Sequence, residues 1–166
     1  DLDKNNEMRV VVDNYGGVPF KFVNNVVVAS DGMLYFTDTS TRFHLVDYPL
    51  ETIEGNGRGR LFRYDMGTGK LDVLLDGLHF ANGLILSHNE TKLLISETTR
   101  FRIREYDLRQ SPAENAANVR YFTQNIPCFP DNIRQYGNEI TVGCASPRTR
   151  FTQTISRYPG LRSLLT

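Results

Sequence analysis

Three copies of one short phrase run through the chain: Phe22-Val23-Asn24-Asn25-Val26, Phe80-Ala81-Asn82-Gly83-Leu84 and Phe129-Pro130-Asp131-Asn132-Ile133. They begin 58 and then 49 residues apart, and each opens a segment of similar layout. An internal repeat of this length restricts the fold to an array in which equivalent positions gather in space. An amide or carboxylate stands at the same place in every copy. A site built jointly by the repeats is therefore expected.

Each phrase leads into a β-branched or aliphatic stretch, then a turn, then a second strand. Val26-Val27-Val28 passes through Asp31-Gly32 to Leu34–Asp38, and Leu84-Ile85-Leu86 passes through His88-Asn89 to Leu93–Glu97. Ile133 passes through Tyr136-Gly137-Asn138 to Ile140–Cys144. These are hairpins with hairpin turn residues. In the first two copies a third strand follows, ending in Tyr64-Asp65 and Tyr106-Asp107, and a fourth closes the unit at 71–75 and 119–123. Four antiparallel strands in about 50 residues make one blade of a β-propeller. The period-two alternation and the Asn/Gly turns exclude a helical solenoid.

The chain is thus an all-β protein supplying two complete blades and half of a third, with a leading fragment expected to be the last strand of an earlier blade. Rings close with 4–8 blades, so a larger ring is implied. Residues 1–147 form the partial propeller. Residues 148–166 carry Arg148, Arg150, Arg157 and Arg162 among apolar residues and read as a basic amphipathic segment. A lid over the ring is favoured for it over a membrane-surface helix. The first residue is Asp1 rather than Met, so the true start is expected to lie upstream, along with any targeting or membrane-anchoring segment.

Composition narrows the partners. Lys plus Arg equals Asp plus Glu at 19 each, so no net field draws the chain to nucleic acid. Cys128 and Cys144 are two cysteines on neighbouring segments; two buried thiols are favoured over a bridge. Asn89-Glu90-Thr91 is a glycosylation sequon, meaningful on the secretory route.

Antiparallel order fixes a mouth. Every inner strand begins at its phrase, and the long 39–59 connection returns to that same end, whereas Asn89 lies on the opposite face. Asn24, Asn82 and Asp131 then point oxygens into one channel, and Ca²⁺ takes six to eight such oxygens. The neighbours Asn25 and Asn132 are expected either to contribute a further oxygen or to orient the ligands. An Asn/Asp turn residue repeated for local backbone reasons is the competing explanation. Three scattered His and two Cys lack zinc spacing.

At these residues the chain resembles the strictosidine synthase-like group of six-bladed propellers, including adipocyte plasma membrane-associated protein and hemomucin-type relatives. The phrases Tyr35–Ser40, Gly59-Arg60-Leu61, Phe80–Gly83, Ser96–Arg100 and Phe129–Arg134 carry the resemblance, which runs from about Phe20 to Pro147. The wider superfamily holds the paraoxonases, diisopropyl fluorophosphatase and regucalcin, which are calcium-dependent hydrolases. The resemblance assigns metal-ligand places to Asn24, Asn82, Asp131 and Asn132. Asn25 stands where the paraoxonase pattern has Asp, which puts a second calcium in doubt. A remaining glutamate ligand would lie before Asp1. The plant synthases have lost these amides and the acid, and their catalytic glutamate would fall beyond Thr166.

Three functional readings follow. The leading one is a calcium-dependent arylesterase or lactonase acting on a small-molecule ester or lactone, membrane-associated or extracellular. The second is a non-catalytic propeller that binds a protein or glycan. The third is a metal-independent amine–aldehyde lyase. His44 in the long connection and His79 beside the second phrase are the weak acid–base candidates, with His88 on a far turn. Asp38 and Glu97 end second strands near the mouth, either supporting the ligands or bonding neighbouring backbone.

Overall fold

The computed structural model describes residues 8–150 and residue 152. Every sheet in it is antiparallel, and within each sheet the strands pair in sequence order. The first blade comprises β3 (Val23–Val28), β4 (Met33–Asp38), β5 (Gly59–Asp65) and β6 (Leu71–Leu78), following the short pair β1 (Asn14–Tyr15) and β2 (Val18–Pro19). The second comprises β7 (Ala81–Leu86), β8 (Lys92–Glu97), β9 (Arg102–Asp107) and β10 (Arg120–Thr123). The inner half of a third follows as β11 (Cys128–Tyr136) paired with β12 (Glu139–Pro147). This is the partial propeller that the repeat predicts.

The leading fragment departs from expectation. β1 and β2 form a hairpin of their own, because Gly16 and Gly17 both take positive φ (61° and 81°), the backbone a tight hairpin turn requires. Its Tyr15 and the following Phe20 set their rings edge-on against Phe62 at 5.3 and 5.2 Å. The segment therefore covers one face of the first blade.

Alternation places one face of each strand between blades. Leu61, Leu84, Leu93 and Ile95 are fully buried between the first and second blades, and Ile103 and Ile133 between the second and third. Each such burial contributes about 1.5–3 kcal/mol. Threonine hydroxyls lock the same junctions: Thr37 and Thr39 donate to the carbonyls of Asn82 and Ala81 at 2.8 and 2.6 Å. Thr98 does likewise to Pro130 at 2.7 Å.

The long connection after β4 is not a plain loop. It makes a 3₁₀ turn at Leu45–Asp47 and then helix α1 (Tyr48–Glu54), which Gly55 ends in the left-handed region at φ 53°. A buried carboxylate anchors it: Glu51, fully buried, accepts from the Ser40 hydroxyl at 2.5 Å, with the Arg58 guanidinium 3.7 Å away. The loop between β9 and β10 holds a second short helix, α2 (Pro112–Ala117), started by a reciprocal Ser111–Glu114 cap. The expected amphipathic segment at 148–166 lies almost wholly outside the described residues.

Candidate functional site

Each phrase folds as a β-bulge. Pairing runs from Val23–Asp38 directly to Val26–Phe36, so Asn24 and Asn25 together oppose Thr37. Likewise Asn82 and Gly83 oppose Ser96, and Asp131 and Asn132 oppose Gly143. One extra residue per inner strand bends the strand and re-aims its side chains. Three bulges at equivalent places aim three oxygen-bearing residues at one end of the channel. The sequence carries the signal in two copies, where Asn24-Asn25 and Asp131-Asn132 interrupt the alternation, but reading it requires counting the partner strand.

Asn24, Asn82 and Asp131 line one cavity of about 560 Å³ at the mouth, together with Phe22, Phe80 and Phe129 of the same phrases. Leu45, Tyr48 and Thr52 of the 3₁₀–α1 connection form its outer wall. Sequence reasoning placed that connection on the correct face but singled out none of these three. Phe80 sits at φ 56°, a costly position for an aromatic residue, in the two-residue passage from β6 to β7.

The donor set suits a hard cation. Asn82 is buried, and its Oδ1 has no hydrogen-bond partner. An orphaned buried acceptor of this kind calls for a ligand. Asn24 spends its Nδ2 on the Thr39 hydroxyl at 3.1 Å, which turns its Oδ1 away from that contact. Asp131 supplies the negative charge. Oxygen donors alone favour calcium over thiol- or imidazole-seeking metals. Among the described residues, no three His, Cys, Asp or Glu side chains gather as a metal cluster.

The other candidates lie elsewhere. Asn132 is not in the cavity lining; its Oδ1 accepts from Asn25 Nδ2 at 2.8 Å. Asp38 and Glu97 are fully buried and each binds the arginine opposite it on the third strand. Arg60 reaches Asp38 and Arg102 reaches Glu97, both at 2.6 Å. Burial raises the Asp38 pKa, opposed by the Arg60 hydrogen bond and charge. These acids clamp strand ends rather than bond chiefly to backbone, although Glu97 also accepts the His79 amide at 3.1 Å.

His44 is exposed before the 3₁₀ turn and His88 is exposed on its hairpin turn. His79 turns from the cavity: its Nδ1 lies 2.9 Å from the Gly55 carbonyl, and burial lowers its pKa. The neutral ring donating from Nδ1 therefore ties the end of α1 to the second blade. Asn89 is exposed at the opposite end, accepting from the Thr91 hydroxyl at 2.9 Å.

The cysteines correct the expectation of free thiols. Cys128 and Cys144 are bridged, with Cα atoms 5.6 Å apart. Cys144 opposes Pro130 just as Asp38 opposes Val23 and Glu97 opposes Ala81. In the complete blades a third-strand arginine meets the residue at this position. In the third, where the described strands are β11 and β12 alone, a covalent bond does so.

A propeller sector whose inner strands bulge toward a shared, oxygen-lined mouth is the class these observations define. The chain belongs to the strictosidine synthase family, whose sequence model matches residues 24–111. Protein strictosidine synthase-like 7 of Arabidopsis thaliana is 36% identical over 156 residues, covering 93% of this chain and 40% of that one. Human adipocyte plasma membrane-associated protein is 43% identical over 119 residues, covering 71% and 28% respectively. The chain spans less than half the length of these relatives. Among solved structures, a gluconolactonase from Xanthomonas campestris superimposes with a TM-score of 0.64 at 20% identity, covering 86% of this chain and 47% of that one. That likeness shows the fold, a sector of a six-bladed propeller.

Proposed function

We propose that the mouth belongs to a calcium-dependent hydrolase of the arylesterase or lactonase type. The observation that carries this reading is the convergence of Asn24, Asn82 and Asp131 on one cavity, with Asn82 Oδ1 buried and unpartnered. When bound, calcium would polarise an ester carbonyl and hold charge on its oxygen. The chain's own residues do the rest of the positioning. Asn82 and Asn24 present neutral oxygens, Asp131 balances part of the cation's charge, and the three phrase phenylalanines with Leu45 and Tyr48 hold an aryl or acyl group against the polar floor. The 3₁₀–α1 connection screens that floor from water.

A second reading, a non-catalytic binding propeller with calcium as a staple, draws support from a different observation. Among the described residues lining the cavity, Asp131 and Tyr48 are the only ionisable ones, and no histidine is present. The lyase reading has no such support, and a synthase name then describes fold rather than reaction. Phenyl acetate turnover with and without a chelator separates the three. Turnover lost with chelator and restored by calcium is expected; stability lost with chelator but no turnover favours the binding propeller, and metal-indifferent condensation the lyase.

The same proposal extends to location. A disulfide suits an oxidising compartment, and the exposed sequon at Asn89 suits the secretory route. Among the described residues no helix is long and apolar enough to cross a membrane. Membrane association is proposed from the adipocyte plasma membrane-associated relatives.

A further inference from the structure

The second residues of the three bulges form a separate layer. Asn25 Nδ2 donates to Asn132 Oδ1 at 2.8 Å, joining the first inner strand to the third across 107 positions of sequence. The middle copy has Gly83 there, and it packs hard against the third bulge. A Cβ on Gly83 would stand 2.4 Å from the Asp131 carbonyl oxygen and 2.7 Å from Asn132 Cα. The missing side chain brings the third strand close enough for the amides of the first and third copies to meet.

The link continues into the second blade. The backbone N–H of Asn25 donates to the Thr37 hydroxyl at 3.1 Å, and that hydroxyl donates to the Asn82 carbonyl at 2.8 Å. Thr37 is fully buried, so this relay has no water to replace it. One uncharged chain of hydrogen bonds thus runs Asn132, Asn25, Thr37, Asn82 and touches all three bulges. Each of the three oxygen-bearing phrase residues at the mouth, Asn24, Asn82 and Asp131, is either a member of this chain or the immediate neighbour of one.

We infer that Asn25 is a positioning residue for the cation site: with Asn132 it forms an amide clasp that sets the separation of Asn24 and Asp131. The inference rests on the calcium reading of the mouth. It assigns Asn132, by sequence a direct ligand, to the support of Asp131 instead. Partners one step behind metal ligands typically govern affinity by 10–100-fold.

Calcium titration calorimetry on the full chain tests this, with metal-free thermal unfolding as control. Asn25→Ala and Asn132→Ala should each weaken calcium binding by about 10–100-fold. The double variant should bind no more weakly than either single one, because both remove the same clasp. Metal-free unfolding should hardly move, since the clasp is solvent-exposed; Asn25→Ser serves if the alanine variant folds poorly. Wild-type affinity in Asn25→Ala with weakened binding in Asn132→Ala would overturn the inference and make Asn132 a ligand. Additive losses would overturn it as well. A wild-type chain that binds no calcium, with Asp131→Ala indistinguishable from it, refutes the calcium reading itself and the clasp's role with it.

Discussion

At the scale of single residues, the site depends on how each side chain's second bonding group is spent. Asn24 gives its amide N–H to Thr39, His79 its ring N–H to Gly55, and Asp38 one oxygen to Arg60. His79 makes a pH prediction. Its folded pKa lies below the ordinary value of about 6.5, chiefly through burial, with Arg100 adding to the effect and the Gly55 hydrogen bond opposing it. On acidification below about 6.5 the unfolded chain takes up a proton that the folded ring resists, so stability falls; above that pH it is fully present. Urea unfolding at mildly acid and neutral pH should show this loss, and His79→Gln should shrink it. Gly83 makes a steric prediction. Its Cβ would meet backbone atoms that cannot swing aside, so Gly83→Ala should destabilise by about 1–3 kcal/mol or more, measured by denaturant midpoint. An unchanged midpoint would mean that the second and third inner strands are not so close.

At the scale of elements, strand ends near the mouth are fastened in two ways. Asp38 and Glu97 meet arginines directly opposite on the third strand, and Cys144 meets Cys128 through a covalent bond. Arg60→Ala would leave Asp38 buried without its partner, so a loss of about 3 kcal/mol is expected at neutral pH. Asp38 already has a raised pKa, and burial alone would raise it further. Part of the loss should therefore return as pH falls and the folded carboxyl takes up its proton. Replacing both cysteines with serine should cost about 3 kcal/mol, the value expected for a loop of some 15 residues. The hairpins and the four-strand blades were legible in the sequence, because alternation and Asn/Gly turns are local signals. The bulges were legible only in part: Asn24-Asn25 interrupts the alternation, but a bulge is defined by the strand opposite. The disulfide was not legible, since two cysteines sixteen residues apart bridge only if the register brings them together. Nor was α1, whose position is set by Glu51, Ser40 and His79 rather than by its seven residues' own propensity.

At the scale of the whole molecule, antiparallel order makes two unlike faces. One carries the bulges, the cavity and α1. The other carries the hairpin turns, where Glu90 accepts from the Ser30 hydroxyl at 2.6 Å and binds the first turn to the second. Asn89 stands on that far face, exposed, with its oxygen already engaged by Ser87 and Thr91. The two faces make separable predictions. Asp131→Ala removes the only carboxylate among the described residues lining the mouth, and with it the strongest attraction there for a doubly charged cation. In the full-length protein, calcium binding by calorimetry and chelator-sensitive aryl ester turnover should both be abolished. Asn89→Ala should leave both intact, because a change or a glycan at that end lies a full strand length from the cavity. Unaltered turnover in the Asp131 variant would rule out metal-assisted hydrolysis. Loss of turnover in the Asn89 variant would mean that the far face, not the mouth, holds the chemistry.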